Sequence, residues 1–216
     1  MTLYNFINMF ILSLFSDPIK TLGFLIGLLI AITFHEFMHA FIAHYLGDET
    51  PKAEGRLSLN PIAHLDPMGT LFLLMVGFGW GKPVLINPLN FKNPKSGEFL
   101  VALSGPLSNL VLAFLFSIPY RFISQNPAHE LFAIIIYLNL MLCAFNLLPI
   151  PPLDGSKLLP IIFPSLDIYR LERFGISILF AVLVLSFLTG LPILSAIITP
   201  IISFLAKIIG LPGISI

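Results

Sequence analysis

One carboxylate inside an otherwise uncharged stretch limits this chain's possible folds more than any other feature. From Leu22 to Leu46 the only charged side chain is Glu36, accompanied by three histidines, His35, His39 and His44. A run this long and apolar reads as a membrane-spanning helix. A carboxylate at mid-bilayer depth costs about 2.5–3.5 kcal/mol on insertion scales, so it persists only beside a partner, a water-filled cavity or a metal. His35 and His39 are one helical turn apart and project from the same face. That spacing lets two imidazoles grip one zinc ion, with the intervening glutamate beside a metal-activated water. The pattern points to metal-assisted hydrolysis inside the membrane.

Composition agrees. Of the 216 residues 57% are hydrophobic and 10% charged, and mean hydropathy is +0.97, whereas soluble domains carry about 25% charged residues. The chain reads as a polytopic membrane protein with too little polar sequence for a separate soluble domain. Net charge is zero and no basic tract occurs, which argues against a nucleic-acid partner. The single cysteine, Cys143, excludes an intramolecular disulfide framework and a multi-cysteine metal site. Residues 1–16 are apolar without a basic n-region or cleavage site. They read as a retained short helix, spanning or interfacial, and not as a signal peptide.

The expected fold is an all-α bundle of about six apolar segments. Residues 21–46, 99–119 and 131–148 are long enough to span. Residues 68–79 would reach only about 18 Å as a helix, so this segment is expected to dip in and return. The uncharged run 174–206 is too long for one crossing, and Gly190-Leu191-Pro192 should break it into two helices. If 68–79 does not cross, loops 47–67, 80–98 and 149–173 share one side. That side holds Lys52, Arg56, Lys82, Lys92, Lys95, Lys157, Arg170 and Arg173, most of the 11 basic residues. The positive-inside rule makes it cytoplasmic.

A catalytic zinc site needs a third protein ligand and an open position. Asn146-Leu147-Leu148-Pro149-Ile150-Pro151-Pro152-Leu153-Asp154-Gly155 offers Asp154 just beyond a helix stopped by prolines, where the glycine permits a tight turn. Together with Phe34-His35-Glu36-Phe37-Met38-His39-Ala40, this stretch resembles the site-2 protease family of zinc intramembrane proteases. Ser104-Gly105-Pro106-Leu107-Ser108-Asn109 is similar to the Gly-Pro-x-x-Asn element of that family. Asn60-Pro61-Ile62-Ala63-His64-Leu65-Asp66-Pro67-Met68-Gly69-Thr70 resembles its small bacterial and archaeal members, and no PDZ or CBS domain is visible.

The resemblance covers residues 20–160. It implies His35, His39 and Asp154 as ligands of one zinc per chain, and Glu36 as the general base and later the donor to the leaving amine. The implied substrate is a transmembrane protein in a prokaryotic cell membrane, cleaved within or near its membrane segment after trimming by another protease. The site would open to the cytoplasmic side. On this basis residues 1–20 form an N-terminal apolar segment, 21–160 a catalytic transmembrane core and 161–216 a C-terminal helical hairpin, all within one integral-membrane domain.

Other features have plainer readings beside the functional one. Asp154 could cap the segment near Ser156. Gly105 and Ser108 could simply let helices approach. Asn109 and Asn146 could be interhelical glue or could stabilise an oxyanion, with glue favoured for Asn109. His44 is rotated off the metal face, His64 sits in a turn beside Asp66, His129 starts a helix at the opposite end, and Cys143 reads as packing. Residues 80–91, bounded by Trp80 and Phe91, read either as a strand-like membrane-surface hairpin able to pair with an unwound substrate or as an interfacial loop anchored by those aromatics. Two rivals use similar motifs. A prenyl-protein-processing metalloprotease typically takes a downstream glutamate, which 131–148 does not offer. A zinc transporter needs ligands across the membrane depth, but 99–119 and 174–189 carry no ionisable residue.

Overall fold

Six Asx-Pro dipeptides punctuate the sequence, and each starts a helical element. The side chains of Asp17, Asn60, Asp66, Asn87, Asn93 and Asn126 each accept a hydrogen bond from a backbone N–H two or three residues on. The following proline occupies the first helical position, where a missing N–H costs nothing. The computed structural model describes residues 17–76, 79–123 and 126–214; the apolar segment expected at 1–16 lies outside the described residues. The longer helices are α1 (Pro18–Tyr45), α2 (Pro67–Val76), α3 (Pro94–Phe122), α4 (Pro127–Asn146), α5 (Ile168–Thr189) and α6 (Ile193–Ile208). Of these, α1, α3 and α4 are long and apolar enough to cross a membrane.

These three helices pack against one another. Gly23 and Gly27 of α1 face α4, where a Cβ on Gly27 would lie 3.1 Å from a Leu138 methyl and 3.3 Å from the Ile135 backbone. Small residues four apart allow this approach, the usual device where lipid removes the hydrophobic drive between helices. One side of α3 stays uncovered: Leu107, Val111, Phe114, Ile118 and Phe122 are 45–84% exposed. Their i, i+3/i+4 spacing makes an apolar stripe that suits hydrocarbon and would be a liability in water. The C-terminal run breaks at Gly190, whose φ is +69°, as expected for 190–192. α6 then packs into a core with α3 and α4 through Ile198, Ile202 and Leu205 against residues such as Ile136 and Leu140. Arg121 donates to the Ile209 carbonyl and ties the far end of α3 to the end of α6.

The short apolar segment is α2. Leu65 and Gly81 form an antiparallel bridge, and the Lys82 N–H donates to the His64 carbonyl at 2.9 Å. The chain therefore leaves at 66 and returns to the same point at 80.

The strand-like hairpin expected near 80–91 is corrected. Among the described residues no strand forms; 82–87 has no regular secondary structure and leads into a 3₁₀ turn, Pro88–Asn90. Side chains do the work of a second strand. Buried Arg56 donates to the carbonyls of Ala63, Lys82 and Pro83, and Asp48 takes the Asn87 N–H at 2.7 Å. Pro83 and Pro88 have no N–H to give to a ladder. Nor is Phe91 an interfacial anchor: it is 5% exposed and packs with Ala43 and Val101. Burial pushes the Asp48 carboxyl up, but donors on Thr50, Asn87 and Asn90 outweigh it and hold the group below the ordinary aspartate range.

Candidate metal centre

Three helix-borne features bring His35, His39 and Asp154 together. The first is the i, i+4 spacing on α1, which sets the Nε2 atoms of His35 and His39 3.0 Å apart. The second is the turn after α4. Residues 147–153 include a cis Pro151–Pro152 bond and lead into a 3₁₀ turn, Asp154–Leu158. A Cβ on Gly155 would collide with the Leu147 and Leu148 carbonyls, so only glycine lets this turn sit on the end of α4. Asp154 Oδ2 thereby reaches 3.1 Å from His35 Nε2 and 3.4 Å from His39 Nε2.

The third is α3, which backs both imidazoles. His35 Nδ1 donates to Asn109 Oδ1 at 2.7 Å. Both N–H bonds of Asn109 are used, toward the Ala31 carbonyl and Asn139 Oδ1, so its oxygen is the atom turned to His35. His39 Nδ1 donates to the Val101 carbonyl, also at 2.7 Å. Gly105 lies between these anchors. A Cβ there would sit 2.5 Å from Cε1 and Nε2 of His39 and 2.7 Å from Cε1 of His35. The plainer reading of Gly105, as a residue that lets helices approach, holds in a specific form: its missing side chain is the space the α1 imidazoles occupy.

With both Nδ1 protons committed, two Nε2 lone pairs and a carboxylate oxygen converge on one point. Asp154 Oδ2 is buried and has no hydrogen-bond partner. Three donor atoms this close suit a bound cation. A tetrahedral zinc with ligands about 2.0–2.1 Å away keeps them about 3.3 Å apart, close to the observed triangle. These residues form a candidate metal site.

Glu36 follows His35 on α1 and is half-buried. Its Oε1 would lie 3.6 Å from a Cβ on Gly81, so the carboxylate sits under the loop that closes α2. Asn146 donates one amide N–H to the Leu142 carbonyl on its own helix, at 3.1 Å. His44 faces Glu49 at 3.2 Å. His64 is fully buried and donates Nε2–H to the Ser58 carbonyl. His129 stacks on Tyr120 at 4.2 Å, and Cys143 is buried in the core. Sequence reasoning missed Asn139, whose side chain orients Asn109. A lone amide in the middle of an apolar span was the available signal, since such groups are kept for interhelical bonds.

The model for Peptidase family M50 matches residues 116–190, the stretch that includes Asp154. The chain is 41% identical over 158 residues to YwhC of Bacillus subtilis (strain 168), covering 68% of this chain and 72% of YwhC. It is 34% identical over 155 residues to MJ0611 of Methanocaldococcus jannaschii, covering 68% and 75%. Against Rip2 of Mycolicibacterium smegmatis it is 37% identical over 141 residues, covering 60% of this chain and 52% of Rip2, so it spans about half of that relative. All three carry the designation zinc metalloprotease. No solved structure matches the chain. The chain thus belongs to peptidase family M50, the site-2 protease family of zinc metalloproteases, and its three membrane-length helices mark it as an integral membrane member.

Proposed function

We propose that this protein is an intramembrane zinc endopeptidase that hydrolyses peptide bonds within or near transmembrane segments of other proteins, from the cytoplasmic side of a prokaryotic cell membrane. The observation that carries the reading is the buried His35–His39–Asp154 triangle on helices of membrane-spanning length. His39 lies six residues before the end of α1 and Val101 seven after the start of α3, which puts the centre about 10 Å below the helix ends. The meeting of residues 65 and 81 supports a re-entrant α2. It thereby supports placing the loops rich in lysine and arginine on one side, the cytoplasmic one.

Two imidazoles and a carboxylate suit one zinc per chain. When bound, zinc supplies Lewis acidity and lowers the pKa of a water to about 7. Glu36 takes the water proton on its carboxylate and returns it to the leaving amine. Asn109, with both N–H bonds in use, keeps the His35 tautomer. Asn146 keeps one N–H uncommitted at the C-terminal end of α4 and is the amide left for the developing oxyanion.

Purified, detergent-solubilised wild type is expected to carry close to one zinc per chain, and His35→Ala and Asp154→Ala to lose it. Zinc absent from wild type, or indifferent to Asp154, would overturn the reading.

The segment Val84–Ile86, free of regular secondary structure, supports a route for the substrate. Arg56 pins its start and Asp48 its end, while residues 84–86 make no backbone hydrogen bond among the described residues. A substrate strand could add along this edge and be unwound for attack. Proline at Val84 or Ile86 is then expected to abolish cleavage while zinc stays bound; unchanged cleavage would sink the strand-addition route.

A further inference from the structure

Four residues of α3 fall on one stripe at intervals of three, four and four: Glu98, Val101, Gly105 and Asn109. Three of them serve the histidines, as the His39 acceptor, the space for the rings and the His35 acceptor. The fourth, Glu98, touches neither imidazole. Its Oε1 lies 3.0 Å from the ammonium of Lys157, which also reaches Glu172 Oε1 on α5 at 2.7 Å. Lys157 belongs to the same 3₁₀ turn as Asp154, three residues on. We propose that Lys157 is a positioning residue, whose ammonium, shared by Glu98 and Glu172, registers the Asp154-bearing turn on the stripe of α3 that also orients both histidines.

The chemistry favours this assignment over a surface ion pair. All three side chains are only 24–31% exposed, and one ammonium bridges two carboxylates from two helices, a network with far less rotamer freedom than an exposed pair. Burial pulls the Lys157 pKa down, but hydrogen bonds and charge from Glu172 and Glu98 prevail and raise it, so the lysine stays charged. The ligand turn is packed on both sides, with Leu153 in the core and Ser156 fully buried, and Gly155 sits against the Leu147 and Leu148 carbonyls at the end of α4. Asp154 Oδ2 faces the two imidazoles, and Lys157 is the side chain of the turn that reaches both α3 and α5. α5 joins the same device: a Cβ on Gly175 would collide with the Pro151 carbonyl, so the helix carrying Glu172 lies directly on the proline loop before Asp154.

The inference rests on the reading of His35, His39 and Asp154 as the metal centre. Its test is zinc affinity, by competition with a chromophoric chelator, and the visible spectrum of the cobalt(II)-loaded protein, in the full chain. Lys157→Met, which keeps the stem and removes the charge, is expected to weaken zinc about 10–100-fold, the range for partners that orient metal ligands, and to alter the cobalt bands. Lys157→Arg should restore most of the affinity. Should Lys157→Met fail to fold, Glu98→Gln removes one partner without changing shape and should weaken zinc in the same direction. Wild-type affinity and spectrum in Lys157→Met, or in Glu98→Gln where the former does not fold, overturn the proposal. Asp154→Ala is measured alongside: tight zinc in that variant defeats the metal-centre reading itself, independently of Lys157.

Discussion

Glutamine in place of Glu36 should leave purified protein with close to one zinc per chain and slow cleavage of a transmembrane substrate by about 10²–10⁴-fold, the range for losing a positioned general base. Glu36 is not a vertex of the donor triangle, so its loss takes no ligand away. The amide has nearly the same shape, so packing under the Gly81 loop, where Oε1 would approach a Cβ within 3.6 Å, is preserved. What disappears is the acceptor for the water proton. Two measurements check this: metal content by mass spectrometry, and the rate of appearance of a cleaved substrate in detergent or reconstituted membranes. Zinc lost together with activity would make Glu36 a ligand. Zinc retained with wild-type cleavage would move the base elsewhere.

The division of labour behind that expectation is spatial. In the proposed site α1 would supply both nitrogen donors and the base, the turn after α4 the oxygen donor, and α3 none. Yet α3 touches both imidazoles, through Val101 and Asn109, and its Glu98 contacts Lys157 of the Asp154 turn. Residues outside the signature motif therefore set the tautomers that aim both Nε2 atoms inward, and this is the part of a metal site on which affinity commonly depends.

Much of this was legible from residues alone, for identifiable reasons. A glutamate between two histidines in an uncharged run has few physical explanations, which pointed to a metal; Asp154 was a candidate third ligand that the family resemblance implied, and the structure brings the three side chains together. The break at Gly190 and the shortness of the helix in 68–79 were read from length and turn chemistry. The surface hairpin was not, because a strand-like segment bounded by prolines looks the same whether a second strand or two side chains occupy its edge. Here Arg56 and Asp48 do so from 26 and 39 residues away, a distance no local pattern reports. Gly105 was legible only in general terms for a similar reason: small residues at helix contacts are common, and only the fold shows that the neighbour across this contact is a pair of imidazoles. The six Asx-Pro junctions were readable helix starts, and the lone Asn139 was a readable polar contact.

Gly105→Ala carries the sharpest consequence of that geometry. Taken by itself, alanine for glycine inside a helix favours folding by about 1 kcal/mol, so a propensity argument predicts a stabilised protein. The collision decides otherwise. Three ring atoms of His35 and His39 lie 2.5–2.7 Å from where the methyl would go. Neither ring can retreat without giving up its 2.7 Å bond to Asn109 or Val101. The expected result is zinc affinity reduced about 10–100-fold or more, with cleavage lost in proportion at limiting zinc. Gly97→Ala supplies the control on the same helix. Its methyl would collide with the Phe91 ring, away from the metal donors, so it should cost stability in thermal unfolding while leaving zinc affinity near wild type. If Gly105→Ala binds zinc as tightly as wild type, the imidazoles have another place to stand, and α3 is not the wall that holds them.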